Sequence, residues 1–187
     1  MKKIQFIKES LKNLKEVGTI FPSSKFVVAK MIAPINFGEK LTILELGAGS
    51  GVITKKLLEK MSSDSQLICF ETNKKFYQEL KQINNEKMIL INESAEKMKL
   101  HLKEFKIEKV DYILSSVPLV TLPKEKTHKI LSLSAEILGK SGKLIQLQYS
   151  KLLDKRLKSY YNNIDIQFTA RYYLPAFIYT CHNQKPL

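Results

Sequence analysis

One carboxylate and three alternate glycines, Glu45, Gly47, Gly49 and Gly51, stand where a short apolar run ends, in LTILELGAGSG. Glycine lets the backbone turn sharply and leaves no Cβ where a ligand lies against the main chain. The spacing therefore predicts a nucleotide-binding turn between a strand and the helical segment VITKKLLEKM. A dinucleotide fingerprint would place its third glycine at Val52, so the chain departs from that pattern. The alternative is a tight turn without a ligand.

A second carboxylate, Glu71, ends the apolar run QLICF, 20 residues after Gly51. Neighbouring parallel strands end at the same edge of a sheet, and an acid at this distance suits the two hydroxyls of a ribose. Thr72, which follows Glu71, is assigned to the same site. Glu71 could instead cap the helix predicted for TNKKFYQEL.

The segments that must position these residues alternate between strand and helix. Apolar runs predict seven strands, at residues 41–46, 66–71, 87–92, 110–115, 142–149, 164–169 and 175–181. The segments between them predict helices on both faces of an open, mostly parallel sheet, with Gly139 and Gly142 at the turn before the fifth strand. We therefore expect an α/β, Rossmann-like fold in a single domain of 187 residues.

Within this domain we expect a Rossmann-like core at residues 41–182 and an N-terminal lid or membrane-facing segment at residues 1–33. Pro22 precedes a helix predicted over residues 25–32, and Ser23 or Ser24 can cap it. The first 16 residues are basic and amphipathic, with apolar residues at three- and four-residue spacing, namely Ile4, Ile7, Leu11 and Leu14. As a helix, this segment can lie on an anionic lipid surface or pack on the domain's own sheet.

The formal net charge is +13, and lysine supplies 29 of the 31 basic residues. Lysine attracts polyanions without the bidentate fork of arginine, so the composition favours a lipid or nucleic-acid surface as partner. The sequence shows neither a signal-peptide core nor an apolar run near the roughly 20 residues that cross a bilayer. We expect a cytoplasmic protein, peripherally associated with the cytosolic face of a membrane.

The cysteines and histidines predict no metal site and no disulfide. Cys69 and Cys181 both fall in predicted strands, where buried thiols are the usual state. The three histidines have no partner at metal-ligand spacing.

The pattern E-x-G-x-G-x-G resembles motif I of the class I S-adenosylmethionine-dependent methyltransferases. EVGTIFPSS, ILSSVPLVTLP, GKLIQLQYS and RYYLPAFIYTC further resemble, in order and spacing, the small soluble bacterial phospholipid N-methyltransferases over residues 17–181. The resemblance implies the class I fold with its last strand antiparallel, and S-adenosylmethionine as cofactor. It also implies methyl transfer to the amine of phosphatidylethanolamine or its partly methylated forms.

The resemblance also assigns site residues. Cofactor binding falls to Glu45, Gly47, Gly49, Gly51, Glu71, Thr72, Glu93, Ser94 and Ala95. The catalytic positions are Ser115, Ser116 and Tyr149, whose backbone carbonyls or hydroxyl would accept hydrogens of the amine. The head-group side would hold Pro118, Arg171, Tyr172, Tyr173 and Pro175. The tyrosines would face a methylated cation or simply pack in strands, and Arg171 would bind a lipid phosphate or pair with a surface acid.

Three departures from these patterns concern the adenine contact, the head group and the number of methyl groups transferred. Ser94 stands where the superfamily often has an acid that contacts adenine, Ser116 where glycine is commoner, and Tyr173 where the family often has asparagine. The glycine motif, the charge and FPSS also resemble the ribosomal RNA adenine dimethyltransferases, which makes RNA methylation the first alternative. SSVPL keeps the proline of the base-methylating motif without its amide or aromatic, so nucleic acid is the less favoured partner. The second alternative is a degenerate basic module that binds membrane or RNA without catalysis.

Overall fold

The computed structural model describes residues 24–169 and 175–182. The strands in these residues are β1 Thr42–Leu46, β2 Gln66–Phe70, β3 Met88–Ile91, β4 Tyr112–Ser115, β5 Lys143–Gln148, β6 Asn163–Thr169 and β7 Ala176–His182. The α-helices are α1 Ser24–Ile32, α2 Val52–Lys60, α3 Lys74–Lys81, α4 Met98–Glu104, α5 Lys124–Leu138 and α6 Asp154–Leu157. Short 3-10 helices at Ala95–Lys97 and Lys151–Leu153 precede α4 and α6.

The seven strands form one sheet in the order β3-β2-β1-β4-β5-β7-β6. The five strands from β3 to β5 run parallel to their neighbours, whereas β7 is antiparallel to both β5 and β6. The predicted α/β sheet is confirmed, since every predicted strand is present with its ends within two residues of the expected ones. The antiparallel last strand is confirmed as well.

Helices cover both faces of the sheet, as predicted. On one face, α1, α2 and α3 contribute buried residues such as Val28, Leu57 and Leu80. On the other face, α4, α5 and α6 contribute buried residues such as Met98, Ile130 and Leu157. Strands between two such layers must be apolar on both sides, which is why β1, β2 and β4 read as continuous apolar runs.

The topology brings five strand ends to one edge of the sheet. Because the five strands from β3 to β5 run in the same direction, their last residues end at the same side, namely Ile91, Phe70, Leu46, Ser115 and Gln148. The chain reverses its order between β1 and β4, and open α/β sheets bind ligands at such a switch point. This edge is the place to look for a site.

Two further sequence predictions can be compared with these elements. The helix predicted at residues 25–32 is confirmed as α1, and the buried thiols of Cys69 and Cys181 are confirmed. The amphipathic segment with Ile4, Ile7, Leu11 and Leu14 lies outside the described residues, as do Pro22 and the possible cap Ser23.

Candidate active site

The glycine turn leaves β1 and leads directly into α2. The backbone N–H of Gly47 donates to the Phe70 carbonyl at 2.8 Å, which ties the turn to the end of β2. All three glycines have positive φ, at 75°, 58° and 82°. A Cβ on Gly51 would lie 2.9 Å from Leu80, whereas a Cβ on Gly49 would meet nothing within 4 Å. Gly51 is therefore required for packing, and Gly49 faces open space where a ligand fits.

Glu71 lies against this turn. Its side chain is 7% exposed, and Oε2 accepts a hydrogen bond from the Gly49 N–H at 2.8 Å. Oε1 accepts from the Asn73 N–H at 2.7 Å. The alternative role of Glu71 as cap of α3 is taken by Asn73, whose side chain accepts from the N–H groups of Lys75 and Phe76. The acid at the end of β2 is thus held beside the turn at the end of β1.

Glu45 lies beneath the turn and not at its surface. It is 1% exposed, and its Oε2 accepts from the Thr54 hydroxyl at 2.7 Å and from the Cys69 thiol at 3.4 Å. Its Oε1 is buried without a hydrogen-bond partner among the described residues. Burial raises the pKa of this carboxyl from 4.5 to about 7, against the lowering effect of the two hydrogen bonds. Glu45 joins β1 to the first turn of α2, which fixes the geometry of the glycines between them.

The side chains that follow β3 form hydrogen bonds and an ion pair with their neighbours in sequence. Glu93 forms an ion pair with Lys97 at 2.9 Å, and the Ser94 hydroxyl bonds the side chain and the N–H of Glu96. Ala95 is buried in the core. The structure therefore places these three residues at the same edge as the turn, with the side chains of Glu93 and Ser94 already paired.

Thr72 is exposed directly after Glu71. Its place at the end of β2 keeps it beside the turn.

The loop after β4 touches the glycine turn. The Ser116 N–H donates to the Leu46 carbonyl at 3.0 Å, and a Cβ on Gly47 would lie 3.3 Å from the Val117 side chain. Ser115 is 1% exposed, and its hydroxyl accepts from the Val117 N–H at 3.4 Å. Pro118 is half-buried. The cofactor turn and the predicted acceptor loop are thus in direct contact.

Two glutamines of β5, which the sequence reasoning missed, fix this loop. The side-chain amide of Gln146 donates to the carbonyls of Ser115 and Val117, each at 3.1 Å. The amide of Gln148 donates to the same Val117 carbonyl at 3.1 Å. Both glutamines are buried, at 0% and 4% exposure. The sequence LIQLQYS contains the signal that could have revealed them, because two amide side chains stand at alternate positions among the apolar residues of this strand.

The backbone carbonyls of this loop differ in whether they already accept a hydrogen bond. Those of Ser115 and Val117 receive the glutamine amides, while that of Ser116 accepts no hydrogen bond from the part of the chain that the structure describes. A donor from a bound molecule would therefore find its free acceptor at Ser116.

Tyr149 follows β5 on the face covered by α1 to α3, where it packs partly buried. Burial raises the pKa of its phenol, so the hydroxyl stays neutral and can orient a donor without acting as a base. Arg171, Tyr172 and Tyr173 lie outside the described residues, and Pro175 is exposed at the start of β7.

Two features are absent from residues 24–169 and 175–182. No group of three or more His, Cys, Asp or Glu side chains there is arranged to hold a metal ion. In those same ranges, no helix combines the length and apolar character that a membrane span requires.

Comparison with known proteins gives a family and a relative in sequence. The model described as "Ribosomal RNA adenine dimethylase" matches residues 11–168. An ornithine lipid N-methyltransferase of Singulisphaera acidiphila is 23% identical over 183 residues, which cover 96% of this chain and 95% of that protein.

Two solved structures are similar in fold. A 1,6-didemethyltoxoflavin-N1-methyltransferase of Burkholderia thailandensis, with bound 1,6-didemethyltoxoflavin and S-adenosylhomocysteine, has a TM-score of 0.69 at 14% identity. The match covers 97% of this chain and 87% of that one. A precorrin-6y C5,15-methyltransferase of Geobacter metallireducens has a TM-score of 0.62 at 16% identity, over 83% and 86% of the two chains.

Proposed function

Since the chain belongs to the ribosomal RNA adenine dimethylase family, and is thus an S-adenosylmethionine-dependent methyltransferase, we propose that it methylates the amine of a membrane lipid. Phosphatidylethanolamine and its partly methylated forms are the proposed acceptors. The relative from Singulisphaera acidiphila supports a lipid acceptor, because its name specifies N-methylation of an ornithine lipid, which also presents an amine.

One observation carries the choice of a lipid amine over a nucleobase. The loop SSVPLVTLP has no aromatic residue on which a base could stack, and Leu119, which follows its proline, is completely buried. The loop instead offers a backbone carbonyl at Ser116. Such a loop suits a small amine, which needs acceptors for its hydrogens and no stacking face.

The described residues fit the cofactor. The open backbone at Gly49 leaves room for a ligand to lie on the turn, and the Glu71 carboxylate beside it suits a pair of ribose hydroxyls. Glu45 would act from below by holding the turn in shape through Thr54. When bound, S-adenosylmethionine supplies a methyl group on a positively charged sulfur that is a good leaving group.

The protein's own part in the reaction is mainly positioning. A lipid ammonium must lose a proton to water to become a nucleophile, and a partly desolvated site favours this by disfavouring the charged form. The Ser116 carbonyl would then accept a hydrogen of the neutral amine, and the neutral Tyr149 hydroxyl is a second acceptor. Gln146 and Gln148 hold the loop so that this carbonyl stays in place, and orientation alone lowers a barrier substantially. Arg171, Tyr172 and Tyr173 remain the proposed head-group residues.

The site of action that follows is the surface of a membrane. The net charge of +13 would draw the protein to anionic lipid, and the basic segment of residues 1–16 is a proposed contact. The protein would then be peripheral on the cytosolic face.

The test is methyl transfer from labelled S-adenosylmethionine to three acceptors in parallel. These are anionic vesicles with phosphatidylethanolamine, the same vesicles with an ornithine lipid, and ribosomal RNA. We expect label in the extracted phosphatidylethanolamine, and a Gly49→Val protein gives the blank. Label in the ornithine lipid alone would correct the acceptor within the lipid class.

RNA methylation is the second candidate, since the family description and the charge both favour it. Label in RNA and in neither lipid would establish it and refute the lipid proposal. A protein that shows no binding of S-adenosylmethionine in calorimetry would support the degenerate module.

A further inference from the structure

The sheet edge at β6 has an apolar face that the helices of residues 24–169 leave uncovered. Ile166 and Phe168 point to the same side as Tyr179 and Phe177, their partners in β7. Residues after β5 cover β7 on that side, where the Tyr179 hydroxyl donates to the Asp154 carboxylate. These residues do not cover β6, where Ile166 is 41% and Phe168 54% exposed.

The exposed side chains of β6 lie beside Phe177 of β7, and the segment after β5 contacts Phe177 as well. The rings of Phe168 and Phe177 lie 5.2 Å apart, and the Lys151 ammonium lies 5.6 Å above the Phe177 ring. Leu152, the next residue, is 52% exposed. We call Leu152, Ile166, Phe168 and Phe177 the edge patch. Monomeric proteins rarely expose such a group of large apolar side chains unless the group contacts something.

The rim of the edge patch is basic. Lys151, Lys155 and Lys158 are exposed on the covering segment, and Arg156 lies among them. The acid of that segment, Asp154, is already bonded to Tyr179. Apolar side chains bordered by lysines suit the interface of an anionic bilayer, where the former enter the head-group region and the latter face lipid phosphates. A second copy of the chain would instead bring two positive surfaces together.

The edge patch also lies at the catalytic end of the sheet. Phe177 pairs with Gln148, the last residue of β5, and the Gln148 amide donates to the Val117 carbonyl at 3.1 Å. Phe168, Phe177 and Gln148 thus form a continuous path to the loop proposed to receive the amine. A bilayer that touched the edge patch would hold its head groups beside that loop.

We propose that the edge patch is a membrane-docking surface, which inserts Leu152, Ile166 and Phe168 into the head-group region of an anionic bilayer. The orientation toward lipid amines rests on the proposed function, whereas the docking itself does not. Docking at this surface would let the enzyme reach a head group without extracting the lipid.

Tryptophan fluorescence can test the contact directly, because the chain contains no tryptophan. In Phe168→Trp the new indole should shift its emission to the blue and be quenched by brominated lipid when vesicles of phosphatidylglycerol and phosphatidylcholine are added. The control is Leu100→Trp, since Leu100 is 62% exposed on α4 and outside the edge patch. The control emission should not change. Equal responses of the two probes, or none from Phe168→Trp, would overturn the proposal.

Sedimentation with the same vesicles measures how much the edge patch contributes. The double variant Ile166→Thr/Phe168→Thr keeps residues that favour strands, and it should bind vesicles about tenfold or more weakly. Leu100→Gln should bind as the wild type does. Unchanged binding by the double variant would refute the docking surface. A second outcome would also refute it: the wild type is a dimer, and the double variant is a monomer that binds vesicles equally well. A second copy of the chain would then cover the edge patch.

Activity in detergent separates this proposal from the proposed function. With phosphatidylethanolamine dispersed in neutral micelles, the double variant should methylate as fast as the wild type, because docking is no longer needed. A wild type that binds vesicles through the edge patch but methylates no lipid in micelles or vesicles would refute the function and leave the docking surface standing. A double variant that is slow in micelles as well would show that the patch acts on the site itself, against this proposal.

Discussion

Replacing Glu45 with glutamine should change how the stability of the protein depends on pH. The Glu45 carboxyl is buried, and its pKa rises from 4.5 to about 7, chiefly because burial disfavours the charged form. In the unfolded chain the group ionises near its ordinary pKa. The folded state therefore binds this proton more tightly than the unfolded state does. The proton's contribution to the free energy of unfolding is complete below about pH 4.5 and is lost as pH rises through about 7.

The magnitude follows from the two pKa values. A difference of about 2.5 pKa units corresponds to about 3 kcal/mol of unfolding free energy, of which about 2 to 3 kcal/mol is lost between pH 5 and 8.5. Glu45→Gln has no group to titrate and should lack this loss. Any cost of the amide beside Thr54 is independent of pH, so only the change of the wild-type minus variant difference with pH is informative.

The assay is urea unfolding of both ligand-free proteins at intervals from pH 5 to 8.5. The variant should gain stability relative to the wild type mainly between pH 5 and 7, and the gain should level off above about pH 7. Thr54→Val provides a second check, because the Thr54 hydroxyl bonds the Glu45 carboxylate at 2.7 Å and lowers its pKa. Without that bond the loss of stability should extend to higher pH. Parallel pH profiles for the wild type and Glu45→Gln would refute the reasoning, because the carboxyl would then titrate alike in both states.

Three further predictions concern the site and its approach to the membrane. Gly49→Val should abolish binding of S-adenosylmethionine in calorimetry, whereas Gly139→Val, also at positive φ with open space around it, should lose similar stability and keep binding. Gln148→Leu should cost only about 1 kcal/mol of stability, because Val117 keeps other donors, yet lower kcat about tenfold with KM little changed. Equal kcat values would reduce Gln148 to a packing role. Deletion of residues 1–16 should weaken vesicle sedimentation more than cofactor binding, and unchanged sedimentation would mean that this segment only packs.

The sequence predicted the fold well because its signals were local. Strands buried on both faces need continuous apolar runs, and glycines at positive φ need no distant partner to be recognised. For the same reason the neighbourhood of Gly49 and Glu71 was accessible from spacing alone, once parallel strands were assumed. The 2.8 Å hydrogen bond between them is what that assumption leads to.

What the sequence did not give were contacts between distant segments. The sequence left Glu71 as a possible cap of α3, but Asn73 takes that role because the glycine turn holds the Glu71 carboxylate at Gly49. In the sequence, Gln146 is only a polar residue within a predicted strand. Its role follows from the pairing of β4 with β5, which brings the Ser115 carbonyl to the Gln146 amide.

The two kinds of contact have different consequences for function. The local signals mark where a cofactor lies, and many acceptors are methylated on such a site. The long-range contacts arrange the loop after β4, since Gln146 and Gln148 saturate the Val117 carbonyl and leave that of Ser116 to accept a donor. The edge patch is likewise visible only when β6 and the segment after β5 are brought together around Phe177. Under the proposed function the acceptor would be selected by residues far apart in sequence, whereas the glycine turn alone predicts methyl transfer without identifying what is methylated.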